Sequence, residues 1–228
     1  MLVTGFPAGV FATNCYILAS EPGAECIIVD PGMDAMPTLT QVLEEHRLKP
    51  VAVALTHGHL DHTWSVTPLV DGYDIPAYLH GDDVDMVANP LEWHSRGLVD
   101  MVGGDPSKVP AFDDVKVLND GEQISIVGVE LTARHTPGHT QGSVIFTFEH
   151  PEAPVMLSGD TLFQQGIGRT DLPGGSYEAI MRSIDEVCLS YDDRTVVLPG
   201  HGGQTSIGAE RASNPFILQY QRDQQSRS

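Results

Sequence analysis

Residues 56–62 read THGHLDH, which places His57, His59, Asp61 and His62 within six positions. Imidazole nitrogen and carboxylate oxygen are donor atoms for a divalent metal, and an apolar run, VAVALT at 51–56, leads directly into them. Burying four titratable groups together is costly without a partner, and a divalent cation is the natural one. Four ligands in one short loop crowd a single ion. His57 and His59 alternate and reach one side, whereas Asp61 and His62 sit on the first turn of a following helix and reach another. This spacing points to two metal ions, with the missing ligands supplied from elsewhere in the chain.

Three later segments offer them. His135 and His139 lie in RHTPGHT, Asp160 ends VMLSGD, and His201 ends TVVLPGH. The shared pattern is an apolar strand, a glycine that lets the backbone turn tightly, then one His or Asp. Any one of these tails alone is an ordinary turn; together they complete a donor set. Nitrogen and carboxylate ligands without thiolate suit zinc, with iron or manganese as alternatives, and disfavour magnesium and calcium. Cys15, Cys26 and Cys188 are few, distant and without a CxxC pair, so they read as buried reduced thiols rather than a disulfide framework.

The elements that must position these residues are mostly short apolar runs. Strands are expected at 1–6, 14–20, 25–30, 51–56, 76–80, 115–118, 123–127, 129–134, 143–148, 154–158 and 195–199. Helices are expected at 34–47, 61–71, 81–87, 176–190 and about 208–213. Ser176 is placed to cap the helix at 176–190, where Ile180, Ile184, Val187 and Cys188 form an apolar stripe. Strands in succession, then strand–helix steps, then strands again predict helices packed outside sheets. The segment 88–113 is irregular and reads either as a loop over the site, with Trp93 and His94 towards substrate, or as a surface insertion. The tail QYQRDQQSRS is polar and expected to fray.

The 228 residues carry 31 acidic and 12 basic side chains, a formal charge of −19, which argues against a nucleic-acid partner. The N-terminal stretch has no basic region and is broken by Gly5, Pro7 and Gly9, so a signal peptide is not expected. No apolar run approaches the roughly 20 residues of a membrane span. The expectation is a cytoplasmic protein that does not meet the membrane.

THGHLDH, TPGHT, GDTLF and LPGHG together resemble the metal-binding series of the metallo-β-lactamase superfamily. The likeness runs from VDPG at 29–32 to NPF at 214–216. It implies an α/β fold, a four-layer αββα sandwich with the site at one edge of the two sheets, formed by residues 1–228 as a single domain. It further implies a first ion held by His57, His59 and His139, a second held by Asp61, His62 and His201, and Asp160 bridging both. His135 has no ligand place in that pattern. Asp30, in VDPG, matches a strand-end aspartate that supports the ligands.

Within the superfamily, GDTLFQQGIGRTDLPGGS and PGHGGQTSIGAERASNPF are similar to glyoxalase II, the hydroxyacylglutathione hydrolases, in their short bacterial forms. The resemblance implies a hydrolase for small-molecule acyl-thiols such as S-lactoylglutathione, a step of methylglyoxal detoxification. It implies that the ions would supply a hydroxide for the thioester carbonyl, with Asp61 and Asp160 as the carboxylates at the reacting centre. Arg169 falls where a basic residue holds the thiol peptide; the alternative is an ion pair with Asp171. Only 27 residues follow His201, so a short tail stands in place of the helical glutathione-binding domain, and the thiol carrier stays open. A mononuclear iron persulfide dioxygenase shares the fold and the GRTD segment, with one iron on His57, His139 and Asp160. A non-catalytic metal-binding protein is the alternative from another class, disfavoured by the full ligand set. A zinc β-lactamase is disfavoured because no cysteine lies in a ligand motif.

Overall fold

A computed structural model describes residues 1–94, 97, 100 and 105–227. Strands β1 (Leu2–Ala8), β2 (Thr13–Ala19), β3 (Glu25–Val29), β4 (Lys49–Ala54), β5 (Ala77–His80) and β6 (Lys116–Leu118) form one sheet in that order. Pairing is antiparallel from β1 to β3 and parallel from β3 to β6. The second sheet uses β7 (Gln123–Ile126), β8 (Val129–His135), β9 (Val144–Phe148) and β10 (Val155–Gly159), then β13 (Val196–Pro199) and β14 (Thr205–Ser206). Its order is β14-β13-β10-β9-β8-β7. Between β10 and β13 the chain makes a small hairpin, β11 (Leu162–Phe163) and β12 (Gly166–Ile167).

Side chains alternate across a strand, and both faces of each sheet are covered. In β3, Ile27 and Val29 point between the sheets, against Leu131, Phe146 and Leu157 of the second sheet. Ile28 points the other way, against Leu39 and Leu43 of the helix Ala35–His46 and Leu69 of the helix Val66–Tyr73. On the far side, Ile145, Met156 and Val197 meet Ile180 and Ile184 of the helix Tyr177–Glu186, together with Ile207 and Ile217. The layers are helix, sheet, sheet, helix, as expected. Phe146, with none of its surface exposed, contributes about 1.5–3 kcal/mol by burial at the centre.

Several elements differ from expectation. The helix expected at 61–71 is two, Leu60–Thr63 and Val66–Tyr73. Pro68 has no N–H to continue a helix through residue 64. At the break, the Ser65 N–H donates to Pro31 O and its hydroxyl to Gly32 O (2.9 and 2.7 Å), tying the chain to the DPG turn. The helix begun by Ser176, whose Oγ accepts from the Ala179 N–H, ends at Glu186 and gives way to a 3₁₀ turn at Cys188–Ser190. The C-terminal segment is helical over Pro215–Arg227 rather than frayed: Asn214 Oδ1 accepts from the Phe216 N–H, and buried Ile217 anchors the first turn. Part of the irregular segment at 88–113 lies outside the described residues. No described helix is long and apolar enough to cross a membrane.

Candidate metal centre

The ligand-bearing loops leave the same edge of the two sheets. β4 delivers His57 and His59, with Asp61 and His62 on the short helix that follows. The β8–β9 turn delivers His139, β10 delivers Asp160, and β13 delivers His201. Close approach sets the local sequence: a Cβ on Gly200 would overlap Asp160 Oδ1 and the His62 ring, and one on Gly138 (φ +139°) would overlap the Ile180 backbone.

Three groups form here, each with its donor atoms within 4.8 Å: His57–His59–His139, His57–His62–Asp160 and Asp61–His62–His201. His62 Nε2 lies 3.3 Å from His201 Nε2, 3.4 Å from Asp160 Oδ1 and 3.6 Å from Asp61 Oδ2. Asp160 Oδ2 lies 3.5 Å from both His139 Nε2 and His201 Nε2. Ligands tetrahedrally placed at zinc bond lengths of about 2.0–2.1 Å stand about 3.3 Å apart. The spacing therefore fits metal coordination. The pair His59 Nδ1 and His139 Nε2, at 2.8 Å, is tighter.

The nitrogens turned away from the cluster are held. The Thr56 N–H donates to Asp30 Oδ1 (2.8 Å) and the Thr56 hydroxyl to Asp30 Oδ2 (2.6 Å). With its proton so committed, Thr56 Oγ1 accepts from His57 Nδ1 (3.0 Å), which leaves a lone pair on His57 Nε2. That nitrogen and Asp160 Oδ1 are buried without a hydrogen-bond partner. His62 Nδ1 donates to Asp30 Oδ2 (2.9 Å), His139 Nδ1 to Arg169 O (2.8 Å) and His201 Nδ1 to Phe11 O (3.1 Å). Four imidazoles thus present Nε2 to a common space, with orienting partners of the kind metal-ligating histidines use. Orphaned buried donor atoms, nitrogen and carboxylate chemistry and the spacing all fit a pair of divalent transition metals.

Charge divides the cluster. Burial, then the neighbouring imidazoles, holds His57 well below the ordinary histidine range and His59 down at about 3. Burial also opposes charge on His62 and His201. The carboxylates outweigh it: Asp61, Asp160 and Asp30 push His62 well up, and Asp61 and Asp160 raise His201. Asp61 and Asp160 are held low by these histidines, His62 foremost, against their own burial.

The cluster opens onto a cleft of about 700 Å³ walled by Phe11, Trp93, Phe163, Ile167 and Leu172. His94 lines it too, with Nε2 accepting from the Leu60 N–H (3.2 Å) and Nδ1 donating to Pro90 O (2.9 Å). Trp93 is tethered through Nε1 to Asp85 (2.9 Å). Arg169 stands at the mouth in a bidentate ion pair with Asp171 (2.8 Å for each bond), both side chains more than half exposed. His135 joins none of the three groups; its ring stacks on His80 at 4.0 Å and its Nε2 donates to Gln141 O. Burial pushes the Cys26 and Cys188 thiols up to about 12, and Cys15 is also raised, so none is a nucleophile.

Trp93 and His94 line the cleft, as the reading of 88–113 as a loop over the site expects; sequence reasoning missed Thr56, Asp83 and the carbonyls of Phe11 and Arg169. Thr56 carried a faint signal as a hydroxyl residue immediately before the first histidine. Nothing local marks Asp83 in HGDD, and a carbonyl leaves no trace in residue type.

Residues 8–201 match the family described as the metallo-β-lactamase superfamily. The chain belongs to the metallo-β-lactamase superfamily. An uncharacterised protein of Mycobacterium leprae is 48% identical over 95% of this chain and 99% of its own length. The hydroxyacylglutathione hydrolase GloC of Haemophilus influenzae is 34% identical over 92% and 95%. Among solved structures, the BLEG-1 B3 metallo-β-lactamase superposes with a TM-score of 0.83 at 36% identity, covering 95% and 99%. A second structure, solved in a di-iron-bound form, superposes at 0.72 with 31% identity, covering 95% and 100%. The superfamily is one of metallo-hydrolases, and its fold with this His/Asp cluster points to a binuclear divalent site in a metal-dependent enzyme.

Proposed function

We propose that the chain hydrolyses thioesters of hydroxyacyl-thiols, releasing a hydroxy acid and a free thiol. The observation that carries this is the set of Nε2 atoms aimed with two carboxylates into one space at the floor of an apolar-walled cleft. The 34% identity to a hydroxyacylglutathione hydrolase directs the choice of substrate. His57, His59 and His139 would hold one ion, Asp61, His62 and His201 the other, and Asp160 would reach both. Zinc is our first assignment, with iron the competitor.

Two divalent ions supply Lewis acidity at a carbonyl oxygen and bring a water's pKa towards neutrality. Asp61 turns Oδ2 towards His201 Nε2 (3.1 Å) and His62 Nε2 (3.6 Å), where it would serve as the carboxylate ligand of the second ion at the reacting centre. Phe163, Ile167 and Leu172 shield the acyl group from bulk water. Asp30 and Thr56 keep His62 and His57 in the tautomers the site needs. Arg169 can anchor a carboxylate of the thiol only by exchanging its contact with Asp171. The partner is a small acyl-thiol; charge −19 leaves little for nucleic acid. Three buried, unpaired thiols fit a reducing cytoplasm.

A second reading, β-lactam hydrolysis, is favoured by the likeness to BLEG-1. Steady-state kinetics on S-lactoylglutathione, a lactoyl thioester of an uncharged thiol and a chromogenic β-lactam separate them on one sample. Oxygen uptake with glutathione persulfide tests the dioxygenase chemistry beside it. Thioester turnover is expected to dominate. Faster β-lactam turnover, or oxygen consumption with a single iron bound, would overturn the proposal.

A further inference from the structure

Asp83 is completely buried, lies outside the ligand set and is tied to both loops that carry one ligand triad. Its Oδ2 accepts from the Gly58 N–H (2.9 Å) and the Thr140 hydroxyl (2.7 Å), and its Oδ1 accepts from the Gly142 N–H (2.7 Å). Gly58 separates His57 from His59, and Thr140 directly follows His139. One carboxylate therefore holds the backbone between His57 and His59 and, through the Thr140 hydroxyl and the Gly142 N–H, the loop that carries His139.

Two details show that the side chain serves these loops and not its own helix. Asp83 occupies the N-cap position of the helix Val84–Ala88, where aspartate ordinarily accepts from its own first turn, yet it makes no such bond. Both loops also lie flat against it. A Cβ on Gly58 would stand 3.1 Å from Asp83 O, and one on Gly142 would stand 2.7 Å from Asp83 Cγ. The glycines leave the carboxylate as the spacer between loops.

We infer that Asp83 is a positioning residue that sets the geometry of the His57–His59–His139 triad and leaves Asp61–His62–His201 untouched. The inference rests on the two-ion reading above. It requires an acceptor at both oxygens. Asparagine offers one, so its NH₂ must face either the Gly142 N–H or the Gly58 N–H where no water reaches.

The test is chelator-competition titration of metal-free protein with zinc, in wild type and in Asp83→Asn, each also in His201→Ala and His139→Ala backgrounds. In His201→Ala, which retains the first triad, Asp83→Asn should weaken the remaining ion about 10- to 100-fold. In His139→Ala, which retains the second, it should leave affinity unchanged. Equal weakening in both backgrounds would mean a merely structural role, and no weakening in either would mean no role; both overturn the inference. Thr140→Val, which removes one of the three donors, should shift affinity in the same selective way but less. It decides the matter should Asp83→Asn not fold. Amide exchange of the metal-free protein gives a reading without zinc: whichever of Gly58 and Gly142 faces the new NH₂ should exchange faster in Asp83→Asn, while the Asp61 and His62 amides should not. Wild type binding fewer than two ions would instead refute the two-ion reading itself.

Discussion

Replacing Asp30 by asparagine should uncouple two ligands from their support without straining the chain. Asp30 is 2% exposed and sits at φ +50°, a left-handed conformation that asparagine also tolerates, so the substitution isolates hydrogen bonding. The carboxylate accepts three bonds, from the Thr56 N–H, the Thr56 hydroxyl and His62 Nδ1. An amide with its oxygen at Oδ1 loses the last two; turned over, it sets its NH₂ against the Thr56 N–H. The His62 Nδ1–H bond to the Asp30 carboxylate orients the ring for the ion and belongs to the class worth about 1.5–3 kcal/mol. At about 1.4 kcal/mol per decade, losing it lowers affinity for the His62 ion roughly 10- to 100-fold. That agrees with the usual effect of removing a partner behind a metal ligand. Competition with a chromogenic chelator at pH 7 measures it. An Asp30→Asn protein that binds both ions within a factor of two of wild type would refute the reasoning.

Two other outcomes follow from charge. His62 and His201 are raised, so in the metal-free chain they contribute stability below the unfolded value of about 6.5 that is lost as pH rises through their folded values. His57 and His59 are lowered, so the unfolded chain takes up protons first as pH falls from 6.5 towards 3, costing about 1.4 kcal/mol per pH unit for each group. Metal-free stability should therefore peak near pH 6.5 and fall on both sides, and metal uptake at pH 7 should release protons. Calorimetry in buffers of different ionisation enthalpy checks this, and zero release contradicts it. Asp171→Ala frees the Arg169 guanidinium at the cleft mouth; KM for S-lactoylglutathione should fall several-fold with little change for an uncharged thiol's ester. The exposed pair itself is worth at most about 1 kcal/mol, so thermal stability should barely move.

How much of this was legible depended on whether the signal was local. Runs such as VAVALT and SVIFTF revealed their strands because both faces of each sheet are buried, and the ligands followed because a strand end, a glycine and a donor residue are adjacent in sequence. Pro68 was a local sign of the break at Trp64–Ser65, but the contacts that hold it, to Pro31 and Gly32, lie more than thirty residues away. β14, two residues long, carries no pattern and is defined by its neighbour β13. The polar tail ran as helix because one buried isoleucine and an asparagine cap sufficed to seat it. Asp83 was invisible because its partners are 25, 57 and 59 positions distant. His135, conspicuous beside His139, is turned aside to His80 by the pleat of β8.

The most direct test is metal content and thioester turnover measured on the same samples of wild type and Asp160→Ala. Two ions per wild-type chain with thioester hydrolysis are expected, with both lost together when the carboxylate reaching both triads is removed. An Asp160→Ala protein that keeps two ions and the full rate would contradict the two-ion hydrolytic centre.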